Sequence, residues 1–182
     1  MTATLPAPSA TTSTRSSAPL LVAAAILFVL YPVLRPWGDA TPEGMSAAFA
    51  SPLWLVAHLA AMAGFVLVGF ALRSTLWWIG AVLVLPYYGA EAFALHALAG
   101  RPDLATAADA VRSGPVAMTV FGAGLVLLAV AAVHTAVRTG WRAVPFAAAM
   151  VLFLPQFFLG AELRIAHGIL LGIGCLLLVR RR

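Results

Sequence analysis

Long apolar runs, separated by short polar stretches, occupy almost the whole chain from residue 18 to residue 179. Only 9% of the 182 residues are charged, whereas a soluble domain is about a quarter charged. Such a chain cannot cover a folded core with polar surface, which excludes a soluble enzyme. The hydrocarbon of a bilayer is about 30 Å thick and takes about 20 apolar residues per helix. The sequence therefore predicts an all-α, polytopic membrane protein.

The apolar runs predict a six-transmembrane-helix bundle that forms a single domain over residues 18–182. A continuous helix from residue 143 to residue 179 would be about 55 Å long, so the chain must turn near Gly160. Residues 1–17 are rich in Ser, Thr, Ala and Pro and predict a disordered cytoplasmic tail. The six predicted spans are about 18–34, 52–72, 75–98, 115–137, 143–159 and 162–179.

The distribution of arginine predicts the orientation of the bundle, since the chain has no lysine. By the positive-inside rule, the face with more arginines is cytoplasmic. We therefore expect both termini in the cytoplasm and the protein in the plasma (inner) membrane of a bacterium. The predicted cytoplasmic face holds Arg15, Arg73, Arg138, Arg142, Arg180, Arg181 and Arg182; the outer face holds Arg35, Arg101, Arg112 and Arg164 with Asp39, Glu43, Asp103, Asp109 and Glu162.

The lipid bilayer is the expected partner of this chain. Its arginines are scattered, with no basic run longer than residues 180–182, which argues against a nucleic acid. A homo-oligomer or a partner in a membrane complex is left open by the sequence.

The second outer loop predicts a short helix on the outer surface. Leu104, Ala107, Ala108 and Val111 recur at helical spacing. Asp103 precedes them, and aspartate is a favoured residue at a helix N-terminus.

Ionisable residues inside the predicted spans are rare, and five of them share one depth. At about 1.5 Å per residue, three of these lie roughly 7–10 Å below the outer ends of their helices, and two lie close to the same surface. The sixth, His134, lies at a cytoplasmic helix end, where the helix dipole favours histidine, so we do not assign it to a site. The shared layer consists of His58, Glu91, His96, Glu162 and His167.

Two segments of the chain share the pattern V-L-x-L-P, aromatic residues and G-A-E-x-x-x-x-H. They cover residues 82–96 and 151–167, and each follows a span that starts near a proline. This similarity predicts an internal duplication of a helical hairpin, a construction found in other membrane proteins. The alternative is that two helices rich in alanine and leucine resemble each other by composition.

The outer layer has the chemistry of a cofactor site. Imidazoles and carboxylates bind first-row transition metals, and two imidazoles from different helices can hold a haem. We therefore expect haem b or a transition metal near the outer face. The predicted cofactor ligands are His58, His96 and His167, and the predicted metal ligands are Glu91 and Glu162.

Tyr87 and Tyr88 stand four and three residues before Glu91 and are predicted to support it. Either hydroxyl could orient a carboxylate that binds a metal. Either could also satisfy Glu91 by a hydrogen bond alone. In the second case no cofactor is needed.

Three functions fit these residues. The first is a haem-binding or metal-binding protein with a redox or binding role. The second is a proton-coupled small-molecule transporter, in which kinks at Pro86 and Pro155 open a path. The third is an accessory structural membrane subunit without a cofactor. The motifs of the common hydrolases, metalloproteases and nucleotide-driven enzymes are missing from the sequence, and whether the protein is an enzyme stays open.

Overall fold

The computed structural model of the protein describes residues 17–179. Within this range all regular secondary structure is helical, as the sequence predicts. Except for Ser17, the predicted disordered tail lies outside the described residues, as do residues 180–182.

Eight helices of more than one turn follow one another along the described chain. They are α1 (Ala18–Leu34), α2 (Pro42–Ala50), α3 (Pro52–Leu72), α4 (Thr75–Leu98), α5 (Leu104–Ser113), α6 (Pro115–Thr139), α7 (Val144–Val151) and α8 (Ala161–Val179). Short 3-10 turns at Trp37–Ala40, Trp141–Ala143 and Pro155–Phe158 join some of them. A π-helical segment, Ala90–Ala94, interrupts α4.

Four of these helices, α3, α4, α6 and α8, are long and apolar enough to cross a membrane. The apolar helix α1 has 17 residues, and the helical segment Trp141–Val151 is shorter still. The structure therefore supports a polytopic membrane protein and does not confirm the count of six spans. The predicted span 143–159 ends early, at Val151, because the ring of Pro155 crowds the carbonyl four residues before it.

Small residues allow the helices of the bundle to approach closely. Helix α1 packs between α3 and α8, α4 packs on α6, and α7 contacts α6 and α8. Gly168 and Gly172 of α8 face the backbone of α1, where an added Cβ would lie 2.9 Å from the carbonyl oxygen of Phe28 and 3.2 Å from that of Ala25. Glycine in both positions permits a backbone contact that a larger residue would block.

Buried aromatic rings fill the half of the bundle nearer Arg73. The indole of Trp77 donates a hydrogen bond to the carbonyl of Phe65 at 2.9 Å and stacks on Phe146 at 5.7 Å between ring centroids. All three side chains have 0% exposure. They form part of the buried core of the bundle.

The opposite end of the bundle is covered by α2 and α5, which together we call the cap. Phe49, Trp54, Leu95 and Leu104 form a small buried cluster between the cap and the bundle. The predicted helix in the second outer loop is confirmed as α5, with Leu104 and Ala108 buried. Asp103 accepts two hydrogen bonds from the Arg101 guanidinium, both at 2.8 Å, so its predicted role as a helix cap is not confirmed.

The structure does not confirm the internal duplication. The first copy of the shared pattern lies within α4 and includes its π-helical segment. The second copy contains the end of α7, a 3-10 turn and the start of α8. The two copies therefore have different local structures.

Gly174 provides a test of the close packing between α7 and α8. An added Cβ would lie 2.5 Å from the Cα of Phe146, a backbone atom that cannot rotate away. We expect Gly174→Ala to lower the free energy of unfolding by about 1–3 kcal/mol, as overpacking does, measured by denaturation in mixed micelles. Gly122→Ala is the control, because nothing lies within 4 Å of its added Cβ. Equal stability of the two variants would contradict this packing.

Candidate functional site

A cavity of about 310 Å³ lies between the bundle and the cap. We call it the Arg112 cavity. All three tyrosines of the chain line it, together with several phenylalanines. Its charged and imidazole side chains are Arg35, Asp39, His58, Glu91, Arg112 and Arg164.

Arg112 connects two carboxylates that are far apart in the sequence. Its Nε donates to Glu91 Oε1 at 2.8 Å, and its Nη2 donates to Glu91 Oε2 at 3.1 Å and to Asp39 Oδ2 at 2.8 Å. Charge-assisted, bidentate contacts of this kind are the stronger class of hydrogen bond in proteins. Arg112 therefore joins the cap helix α5 to α4 and to the loop after α1.

The pKa of Arg112 reflects two opposing effects, its burial and the charge of the two carboxylates. Burial lowers the pKa of the guanidinium, but the carboxylates of Glu91 and Asp39 together raise it by more, so it lies above its ordinary value. Arg112 is positively charged at every pH at which the protein is folded.

Local backbone structure brings Arg35 and Asp39 to the cavity. Helix α1 ends at Leu34, because Pro36 disfavours helical backbone in Arg35, the residue before it, which is extended. The 3-10 turn that follows brings Asp39 back toward the end of α1. There Arg35 Nη2 donates a hydrogen bond to Asp39 Oδ2 at 2.6 Å. Arg35 also lies over the rings of Trp37 and Trp54, at 4.4 and 4.7 Å. The charge of Arg35 is thus held by one carboxylate and two aromatic faces.

Glu91 occupies the π-helical segment of α4. Such segments are rare and frequently coincide with functional sites. The carbonyl of Glu91 accepts a hydrogen bond from the indole of Trp54 at 2.7 Å, which fastens α4 to α3. Its side chain is 10% exposed and points to Arg112. The segment therefore places a buried carboxylate where a cap arginine can reach it.

His58 presents one free ring nitrogen to the cavity. Its Nδ1 lies 2.7 Å from the carbonyl oxygen of Trp54. A carbonyl only accepts hydrogen bonds, so this contact assigns the ring proton of neutral His58 to Nδ1. The unprotonated Nε2 then faces Glu91 Oε2 at 3.7 Å. It can accept a hydrogen bond, take a proton or bind a metal ion.

The structure brings four of the seven predicted site residues to this cavity. His58 and Glu91 line it, as do Tyr87 and Tyr88. The hydroxyl of Tyr87 donates to the backbone carbonyl of Arg112 at 3.3 Å. The buried hydroxyl of Tyr88 has no hydrogen-bond partner among the described residues.

The other three predicted site residues lie elsewhere. His96 Nδ1 donates to the carbonyl of Phe49 at 2.6 Å within the cap. His167 Nε2 donates to the carbonyl of Ala149 at 2.8 Å and lines a separate small cavity. Glu162 is exposed at the start of α8. A common depth in the membrane therefore did not bring the histidines together.

Among residues 17–179, no three histidine, cysteine, aspartate or glutamate side chains are grouped so that they could hold a metal ion. Of the five ligands predicted for a haem or metal, the Arg112 cavity contains His58 and Glu91. The haem and transition-metal hypotheses stay predictions.

Sequence reasoning missed the arginines and Asp39 as members of the site, because it assigned them to the outer surface. One signal could have found them. A carboxylate at the depth of Glu91 needs a positively charged partner, and the outer loops supply arginines near that depth. Arg35, Arg112 and Arg164 were therefore available candidates.

The chain matches no protein-family model, no curated protein sequence and no solved structure. A functional assignment therefore depends on the chemistry of the Arg112 cavity.

Removal of Arg112 tests the ion-pair network. We expect Arg112→Gln to lower the free energy of unfolding by about 3–5 kcal/mol, because it leaves a buried carboxylate without its partner. The double variant Glu91→Gln, Arg112→Gln should recover part of this loss, since it removes that carboxylate. Denaturation in mixed micelles measures both effects.

Arg101→Gln is the matched control for this experiment. Arg101 pairs with Asp103 on the exposed surface of the cap, where an ion pair contributes little. We expect no measurable loss of stability. If Arg112→Gln were as stable as Arg101→Gln, the network would not support the fold.

Proposed function

We propose that the protein binds a small molecule in the Arg112 cavity and that the ligand enters from the outer side of the plasma membrane. One observation carries the proposal: a cavity of about 310 Å³, in a bundle with four helices long and apolar enough to cross a membrane, is lined by both charged groups and aromatic rings. Ligand sites are commonly concave, mostly apolar and about 300–1,000 Å³ in volume, with a few convergent polar groups.

The proposed orientation follows from charge. Arg73, Arg138 and Arg142 lie at the end of the bundle opposite the cap. With Arg15 and residues 180–182, which the sequence predicts for the same side, that end has seven of the eleven arginines of the chain and the cap end has four. By the positive-inside rule the cap faces outward and both termini lie in the cytoplasm. In this proposal α1, about 25 Å long, and the segment 141–158 complete a six-helix bundle.

The polar groups of the cavity suit recognition of a ligand. Arg112 can exchange one of its hydrogen bonds to a carboxylate for a bond to a ligand acceptor. His58 Nε2 can accept a hydrogen bond from a ligand donor. We favour a small organic ligand over a haem or a metal ion, because only two of the five predicted ligands, His58 and Glu91, line this cavity.

A variant with a bulkier side chain in the cavity tests the proposal. The probes are phenylacetate, 2-phenylethanol and phenethylamine, which share a phenyl ring and a short arm and differ in charge. We expect at least one of them to bind saturably to the protein in phosphatidylcholine nanodiscs, measured by titration calorimetry. Met118 lines the cavity, so Met118→Trp should fill part of it and weaken this binding.

Val120→Trp is the matched control, because Val120 belongs to the same helix and, like Met118, is 38% exposed. It does not belong to the cavity lining among the described residues, so binding should persist. Failure of all three probes to bind would contradict the proposal and favour an accessory structural subunit.

Proton-coupled transport is the second candidate. Two interruptions of helical structure border the cavity: the π-helical segment of α4 and the break between α7 and α8. Interrupted helices are typical of transporter binding sites. The coupled proton would be shared between Glu91 Oε2 and His58 Nε2, which lie 3.7 Å apart.

Flux measurements distinguish transport from binding alone. In proteoliposomes, the probe that binds should accumulate when a pH gradient is imposed. Glu91→Gln keeps the size of the side chain but cannot take up a proton, so it should abolish accumulation. His58→Gln is the second variant, and binding measured in parallel shows that each variant is folded. Binding without accumulation in the unmodified protein would exclude this candidate.

A further inference from the structure

We propose that the ligand of the Arg112 cavity is a small anion, in which a carboxylate or phosphate group is attached to an apolar body. This inference depends on the proposed function and names the chemical class of its ligand. It follows from four features of the cavity: its charge balance, the environment of Arg164, two buried polar atoms and an aromatic wall.

The charge balance of the cavity is positive. Its lining contains three arginines, Arg35, Arg112 and Arg164, and two carboxylates, Asp39 and Glu91. Neutral His58 adds no charge. The excess positive charge lies in a partly buried site, where its attraction for an anion is stronger than in water.

Arg164 supplies that excess. Arg112 contacts both carboxylates, and Arg35 shares Asp39 with it. Arg164 Nε donates to the neutral amide oxygen of Gln156 at 3.1 Å, and its guanidinium lies 4.9 and 5.0 Å from the rings of Trp37 and Phe157. Among the described residues Arg164 has no carboxylate partner. Its charge is available to a ligand.

Two buried polar atoms of the cavity lining also lack a hydrogen-bond partner among residues 17–179. They are Arg35 Nε and the hydroxyl of Tyr88, on side chains that are 6% and 2% exposed as residues. Buried donors are normally hydrogen-bonded. Arg35 Nε can only donate, so an oxygen atom of an anionic ligand would satisfy it and an ammonium group would not. The Tyr88 hydroxyl can donate to an oxygen atom of the same ligand.

An aromatic wall lies beside the charged groups of the lining. Tyr87 stacks on Phe121 with ring centroids 4.1 Å apart, and Phe121 contacts Phe157 at 5.5 Å. All three line the cavity, as do Leu154 and Met118. The wall therefore fits an apolar or aromatic body attached to the anionic group.

The anion has two chemical sources, a free organic acid and the headgroup of an anionic lipid. Both offer negatively charged oxygens on an apolar body. The cavity lining includes Phe158 and Met118, which are 83% and 38% exposed, so lipid as well as solvent can reach it. The experiment therefore needs a separate arm for each source.

Titration calorimetry with the charge-matched probes tests the ligand class. In phosphatidylcholine nanodiscs we expect phenylacetate to bind about ten-fold or more tightly than 2-phenylethanol or phenethylamine. Arg164→Gln should weaken phenylacetate binding about ten-fold or more and should affect the affinity for the uncharged 2-phenylethanol much less. Arg101→Gln, on the exposed surface of the cap, should leave all three unchanged.

A second arm separates the two sources of the anion. Nanodiscs that contain phosphatidylglycerol are compared with nanodiscs of phosphatidylcholine alone. If phosphatidylglycerol weakens phenylacetate binding and Arg164→Gln removes this competition, a lipid headgroup is the anion. If phenylacetate binds equally in both, the anion is a free acid.

The outcomes distinguish this inference from the proposed function. Tighter binding of phenethylamine, or equal phenylacetate affinity in the unmodified protein and Arg164→Gln, would overturn the anion class and leave small-molecule binding intact. If none of the probes bound in either nanodisc, both proposals would fail.

Discussion

The ion pair between Arg112 and Glu91 is the interaction on which the arrangement at the cap end depends. A carboxylate within a membrane-spanning helix is costly unless a positive charge reaches it. Arg112 reaches it from outside the spanning helices, because α5 folds over the end of the bundle. The same guanidinium then holds Asp39, which in turn holds Arg35. The buried carboxylate of Glu91, through its bond to Arg112, thus holds together the cap, the end of α1 and the π-helical segment of α4.

The interruptions in the helices allow the side chains to take up this arrangement around Arg112. A regular α-helix directs side chains along fixed faces, whereas a π-helical segment inserts an extra residue and changes the direction of those beyond it. In α4 this segment carries Glu91, whose carbonyl is fastened by Trp54 and whose carboxylate is fastened by Arg112. The break before α8 similarly brings Arg164 beside Gln156. The cavity lies where these two irregularities meet.

Much of the fold could be predicted from the sequence, because hydrophobic length decides which segments can cross a bilayer. The bounds of α3 and α4 agree with the predicted spans, and the helical spacing in the second outer loop predicted α5. The site was harder to predict. The position of a residue in a helix gives its depth in the membrane, but the direction of its side chain depends on how the helices pack. The packing directs His96 and His167 away from His58. The pairing of Arg112 with Asp39 joins residues 73 positions apart, and only the folded cap brings them together.

Charge connects the architecture of the cavity to the class of its ligand. If His58 carries its single ring proton on Nδ1, as its bond to Trp54 assigns, the charged lining sums to one excess positive charge. A bound monoanion makes the site neutral, a neutral molecule leaves the excess in place, and a cation doubles it. In a partly buried site each of these differences in charge changes the interaction energy by more than it would in water. Arg164 therefore determines which ligand charge the cavity accepts, while the aromatic wall of Tyr87, Phe121 and Phe157 determines what kind of body can accompany that charge.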